Sequence, residues 1–174
     1  MHFSPVSAFR SLSIFLLVSV GSLTARSAVP AAATADPSLT LTILFTNDLK
    51  GRLLPGPYFD EMRGGMARLV TLLRDLDPHR EALIVDGGDA LGPDQLAHFD
   101  GGRLFANLMS RAGYVGMVPG NHDINYGVDT LRARVAEADF HFLALNLVEA
   151  ATGDPIVTPY IVVERNGIRI LLTG

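Results

Sequence analysis

Four short apolar runs alternate with stretches whose apolar residues recur at helical spacing, and this alternation narrows the fold more than any other feature of the chain. The β-rich residues 39–46 end at Asn47-Asp48, 82–85 end at Asp86-Gly87-Gly88-Asp89, 114–118 stop at Pro119-Gly120-Asn121-His122-Asp123, and 140–145 lead to Asn146. Between them, Met66, Leu69, Val70, Leu73 and Leu76 predict a helix over 64–76. Leu104, Phe105, Leu108, Met109 and Ala112 predict a second over 102–112, closed by Gly113. Val128, Leu131 and Val135 predict a third over about 127–138. Two further strands, near 159–165 and 168–173, flank Asn166-Gly167, a pair suited to a type I′ hairpin turn.

Strand and helix in short alternation imply an α/β fold with a largely parallel sheet and helical crossovers. Ligands of such sheets lie beyond the carboxyl ends of the strands. Asp48, Asp89, Asn121 with His122, and Asn146 follow the four successive strands, so each strand delivers a polar group to one edge. Two carboxylates, an amide oxygen and an imidazole, with no thiolate, suit Mn, Mg, Ca, Fe or Zn better than a soft metal. Asp and Asn after strands are also ordinary turn formers, and it is the convergence of several loops that favours a site. Among the histidines, His122 alone lies in a Gly-Asn-His-Asp loop. His79 and His98 read as surface residues, His141 as strand filler, and His2 lies near the N-terminus.

Composition removes other classes of function. The chain of 174 residues carries no Cys, which excludes a thiol nucleophile and a Cys-based zinc site. A net charge of −4 gives no global positive field for a nucleic-acid polymer. Residues 11–23 are uncharged and apolar, too short to span a bilayer, which takes roughly 20 apolar residues. They suit the core of a signal peptide, with small residues around 27–35 offering the cleavage site. Residues 1–35 are therefore expected to be a signal segment and linker, and the mature chain to be exported, periplasmic or extracellular, without a permanent membrane anchor.

Thr46-Asn47-Asp48-x-x-Gly51, Gly87-Gly88-Asp89 and Gly120-Asn121-His122-Asp123, in that order and each after a strand, resemble the calcineurin-like metallophosphoesterases. The branch they resemble is that of exported 5′-nucleotidases and 2′,3′-cyclic phosphodiesterases, whose Gly-Gly-hydrophobic-Ala segment is matched by Gly64-Gly65-Met66-Ala67. The resemblance covers roughly 39–174. It implies the first half of a four-layer α/β/β/α sandwich, with 36–174 as the N-terminal part of the domain and the later metal ligands beyond the strand ending near Gly174. It also implies hydrolysis of a small phosphorylated substrate, nucleotides above all, with two divalent metal ions in the family pattern. By the same resemblance Asp48 binds the first metal, Asp89 bridges both and Asn121 binds the second. His122 then stabilises the transition state or protonates the leaving oxygen. Two metals about 4 Å apart clamp phosphoryl oxygens and lower the pKa of a bridging water, and a positioned His assists departure of an alkoxide.

Two positions depart from that pattern. The family's Asp-x-His has Lys50, the only lysine of the chain, in place of its His. An ammonium cannot coordinate a metal without losing its proton. Lys50 is expected either to neutralise Asp48 and Asp89, leaving one metal rather than two, or to swing out to solvent. The Asp that orients the catalytic His in the nucleotidase branch is Asn125 here, and an amide supports an imidazolium less well than a carboxylate does. A non-catalytic relative, keeping the fold as a binding module, is the alternative these departures favour. A Rossmann-type nucleotide binder is disfavoured by the lack of Gly-x-Gly-x-x-Gly after the first strand.

Overall fold

The computed structural model describes residues 40–58 and 60–174; the signal segment and linker expected at 1–35 lie outside the described residues. The elements, in chain order, are β1 (Ile43–Thr46), β2 (Gly56–Tyr58), β3 (Glu61–Arg63), α1 (Met66–Leu76), β4 (Leu83–Asp86), α2 (Gln95–Asp100) and α3 (Arg103–Ala112). They continue with β5 (Tyr114–Met117), a 3₁₀ turn (His122–Ile124), α4 (Val128–Glu137), β6 (His141–Phe142), β7 (Tyr160–Arg165) and β8 (Ile168–Thr173).

The expected parallel sheet is present, in the order β1-β4-β5-β6 with every neighbouring pair parallel. Its central strand β4 reads Leu-Ile-Val-Asp and is buried throughout, as a strand covered on both faces must be. Ile84 faces the larger core with Met66 and Leu73 of α1, Phe105, Ala106 and Met109 of α3, and Leu131 of α4. Leu83 and Val85 point the opposite way, into a second core with Leu143 and Leu172. The period-two alternation of a strand thus splits one run of sequence between two layers.

The β7–β8 hairpin forms that second layer. Asn166 and Gly167 both have positive φ, 50° and 75°, as a type I′ turn requires. Taken alone, the sequence leaves Ile161, Val163, Ile168, Ile170 and Leu172 without a layer to cover them, and the structure corrects that expectation. Leu172 is buried, and Ile161, Val163 and Ile170 pack with it against Leu83, Val85 and Leu143. The exposed apolar residues of the hairpin are instead the outward-facing Tyr160, Val162 and Leu171. Helices, sheet and hairpin therefore stack as α/β/β.

Three further differences have local causes. The strand expected over 140–145 pairs with β5 only at His141 and Phe142. Beyond them Leu143 bridges Thr158, and the Leu145 N–H donates to the Gly174 carbonyl, so the chain changes partner in mid-run. The strand expected from 39 begins at Ile43. Helix α2 and the β2–β3 hairpin have no counterpart among the expected elements. Six residues after Gly92-Pro93 give too little periodicity to read, and Gly56-Pro57 looks like a breaker rather than a strand.

Candidate active site

The loops after β1, β4 and β5 meet at the carboxyl edge of the sheet, and backbone hydrogen bonds join the first two. The N–H groups of Asp48, Lys50 and Gly51 donate to the carbonyls of Gly88, Asp89 and Ala90 at 2.9, 2.8 and 2.7 Å, and Asp94 N–H donates to the Lys50 carbonyl at 3.0 Å. Asp48, Lys50 and Asp89 hold φ of 63°, 56° and 54°. Residues other than Gly seldom adopt this left-handed region, and such strain gathers at functional sites.

Side chains complete the junction. Lys50 Nζ lies 2.8 Å from Asp48 Oδ1 and 2.8 Å from Asp89 Oδ2. The other Asp89 oxygen, Oδ1, accepts the His122 N–H at 2.9 Å. Burial alone would raise the Asp89 carboxyl, but the Lys50 hydrogen bond, the His122 N–H and the Lys50 charge outweigh it and hold it below the usual carboxylate range. Hydrogen bonds from Nζ to Asp48 and then to Asp89 raise the Lys50 ammonium above its ordinary value. Gly120 is required here, since a Cβ at that position would stand 2.1 Å from Asp89 Oδ1.

His122 opens the 3₁₀ turn, and its Nδ1 faces Asn125 Nδ2 at 2.8 Å. Asn121 precedes it, exposed, in the same loop. Asn146 is also exposed and takes no part in the hydrogen bonds that join the other three loops. Of the residues singled out from sequence, the structure thus joins Asp48, Lys50, Asp89, His122 and Asn125, sets Asn121 beside them, and leaves Asn146 apart.

Two supporting groups were missed in the sequence. Asp123 is 4% exposed, and its carboxylate accepts three backbone N–H groups at 2.8 Å: Asp89 and Gly120 on Oδ2, Leu91 on Oδ1. It clamps the β4 loop to the β5 loop. Burial pushes its carboxyl up despite those three donors. The Gly87-Gly88-Asp89 motif after a strand singles out Asp89, but nothing in the sequence distinguishes a carboxylate that binds backbone from one that faces a ligand. Asp86 is 2% exposed; its Oδ2 accepts from Thr46 Oγ1 at 2.6 Å, and that hydroxyl also lies 2.8 Å from the Tyr114 hydroxyl. Burial pushes the Asp86 carboxyl up to about 6, partly offset by the Thr46 and Gly88 hydrogen bonds.

The calcineurin-like phosphoesterase model matches residues 41–171. The chain belongs to that family. It is 32% identical over 145 residues to the 5′-nucleotidase of Vibrio cholerae, covering 80% of this chain and 26% of that protein. It is 28% identical over 167 residues to the 2′,3′-cyclic-nucleotide 2′-phosphodiesterase/3′-nucleotidase of Yersinia enterocolitica, covering 89% of this chain and 25% of the relative. The solved 5′-nucleotidase precursor of Thermus thermophilus superposes with a TM-score of 0.67 at 28% identity, covering 77% of this chain and 28% of that one. This chain spans about a quarter of the length of the relatives it matches.

Calcineurin-like phosphoesterases use divalent metal ions, and the donors present here can be tested against that requirement. A cation pair seated on Asp48 and Asp89 does not fit them. An ammonium bridges the two carboxylates, the remaining Asp89 oxygen is committed to a backbone N–H, and no group of three His, Cys, Asp or Glu among the described residues could hold an ion.

Proposed function

We propose that the chain carries part of the active site of a phosphoesterase acting on nucleotides, of the 5′-nucleotidase type. The observation that supports this reading most directly is the convergence on Asp89, which links Lys50 of the β1 loop to His122 of the β5 loop. The relatives named above supply the substrate class. Residues 36–174 then form the N-terminal part of the catalytic domain, and the apolar core at 11–23 marks the protein for export. Among the described residues no helix is long and apolar enough to cross a membrane.

In this reading Lys50 offsets the charge of Asp48 and Asp89, so that a phosphate dianion does not meet two bare carboxylates. With Asn125 Nδ2 donating to Nδ1, neutral His122 carries its proton on Nε2, the nitrogen left to donate to an ester oxygen. Water attacks phosphorus as the P–O ester bond breaks. The bond's electron pair leaves on the ester oxygen, and the proton that the water loses reaches that oxygen through solvent, giving phosphate and an alcohol. His122 stabilises that oxygen by hydrogen bonding. Full proton donation calls for the imidazolium, which Asn125 accommodates by turning its amide to present Oδ1 to an Nδ1–H. With both Asp89 oxygens engaged, by Lys50 Nζ and by the His122 N–H, Asn121 is the donor left at this edge for a single divalent ion.

The test is hydrolysis by the full-length protein of 5′-AMP, 2′,3′-cyclic AMP and bis-p-nitrophenyl phosphate, compared with His122→Ala. We expect nucleotide turnover that falls by about 10²-fold or more in the variant. Turnover equal in both proteins would sink the assignment of His122. The bridging of Asp48 and Asp89 by Lys50 favours a second reading, a non-catalytic relative that keeps the fold to bind nucleotides. Binding of 5′-AMP with no hydrolysis of any of the three esters would select it.

A further inference from the structure

We propose that Lys50 is a built-in cation: its ammonium takes the seat between Asp48 and Asp89 that would otherwise hold a divalent ion, and so closes that seat to metal. The inference concerns the site of the proposed phosphoesterase, but it is tested by counting ions and labelling an amine. It can therefore fail while hydrolysis is observed, and hold where none is found.

The backbone builds the seat. Lys50 is in the left-handed region with its N–H and C=O both engaged, to Asp89 at 2.8 Å and Asp94 at 3.0 Å. The next residue must be Gly, since a Cβ at Gly51 would stand 2.9 Å from the Leu91 carbonyl oxygen at a φ of +69°. Both carboxylates that receive Nζ are likewise in left-handed conformations. Three adjoining non-glycine residues are thus strained so that their side chains meet at one point. A lysine merely lying on the surface needs none of this.

The chemistry of the seat follows. Nζ donates at 2.8 Å to one oxygen of each carboxylate, and charge-assisted bonds of this length are the strong ones. A divalent ion entering between them would break both bonds and expel a cation that is 27% exposed into water. The ammonium offsets one of the two carboxylate charges but cannot accept a lone pair from a phosphoryl oxygen or a water. The seat therefore supplies electrostatics without Lewis acidity, and any divalent ion the protein binds lies elsewhere.

Two measurements on the full-length protein decide the matter, with Mn²⁺ as the probe. The first is manganese per chain after equilibration and desalting. Lys50→His should bind one ion more than the unmodified protein, and Lys50→Arg the same number as it. No gain in Lys50→His, or a gain in Lys50→Arg, would overturn the proposal. The second keeps the protein unmutated, and so stands even if the variants misfold. An amine-reactive reagent is applied with Mn²⁺ or with EDTA, and modification of Lys50 is read from its peptide by mass spectrometry. Equal labelling is expected, because the ion does not displace Nζ. Labelling that rises several-fold with Mn²⁺ would show that the metal evicts the lysine, and the idea would be wrong.

Discussion

Asn125 Nδ2 stands 2.8 Å from His122 Nδ1, three residues away across a single 3₁₀ turn. The pair fixes the imidazole by a neutral amide where a carboxylate would also stabilise its protonated form. Ring orientation is therefore set by a group that carries no charge to offset an imidazolium.

The first prediction comes from that pair. Asn125→Asp should present an acceptor to an Nδ1–H and favour the imidazolium, the form able to release a proton to a leaving oxygen. On an ester with a poor leaving group, such as 5′-AMP, turnover should rise by about tenfold or more. The alkaline limb of its pH–rate profile should move to higher pH. On a p-nitrophenyl ester, which departs without protonation, the change should be small. An equal effect on both substrates would contradict this role for Asn125.

Asp123 leads to a prediction about stability. Its two oxygens hold three N–H groups from two loops, and an amide can offer only one of those oxygens while turning an NH₂ toward a backbone donor. Asp123→Asn should cost about 2 kcal/mol or more in a urea titration, because buried N–H groups lose a charged acceptor. A change below about 0.5 kcal/mol would mean that the clamp does not contribute to stability.

Asp86 makes stability depend on pH in the direction opposite to a salt-bridged acid. Its carboxyl titrates at about 6 in the fold against an ordinary 3.8, so the folded state binds more protons between those values. Stability associated with this group is complete below about pH 4 and lost as pH rises through about 6, a difference of about 3 kcal/mol. Asp123, also raised, acts in the same sense, and Asp89, which is lowered, acts in the other. Comparison with Asp86→Asn isolates the single group: the amide can still accept from Gly88 N–H and donate to Thr46. The stability of Asp86→Asn relative to the unmodified protein should increase from pH 4 to pH 7. A constant difference would refute the assignment.

Gly120 separates positioning from folding. A methyl at this residue meets Asp89 Oδ1 at 2.1 Å and Asp89 N at 2.7 Å. The Asp89 loop must then shift, and misplacement by about 1 Å can cost on the order of 10² in rate. Gly120→Ala should therefore lower kcat far more than it lowers affinity for 5′-AMP. Circular dichroism should show the sheet retained. Full activity in Gly120→Ala would show that the Asp89 placement tolerates movement.

Much of this was legible in the sequence because strands and helices of adequate length carry their own period. Met109, one turn from Phe105, declares its face without tertiary help, whereas the unbroken apolar run Leu83-Ile84-Val85 declares a buried strand but not which residue faces which layer. The edge at which Asp48, Asp89 and His122 gather follows from parallel connectivity. The place of Lys50 two residues after Asp48 allows the bridge but equally allows a swing out to solvent, and the contacts at 2.8 Å decide between them. The hairpin layer was harder to foresee. Its partners Leu83, Val85 and Leu143 already served a strand pattern, and nothing local reveals that their outer face is covered by Leu172. Asp123 and Asp86 were hidden for a related reason, since what distinguishes them is burial among backbone amides.

The backbone ladder between the β1 and β4 loops also bears on how the protein opens. The amides of Asp48, Lys50 and Gly51 all end on carbonyls of 88–90, while Asp94 returns a bond to Lys50. None of the four can meet solvent singly without disturbing the others. They should exchange hydrogen for deuterium as one block, at a rate set by a shared opening rather than by individual fraying.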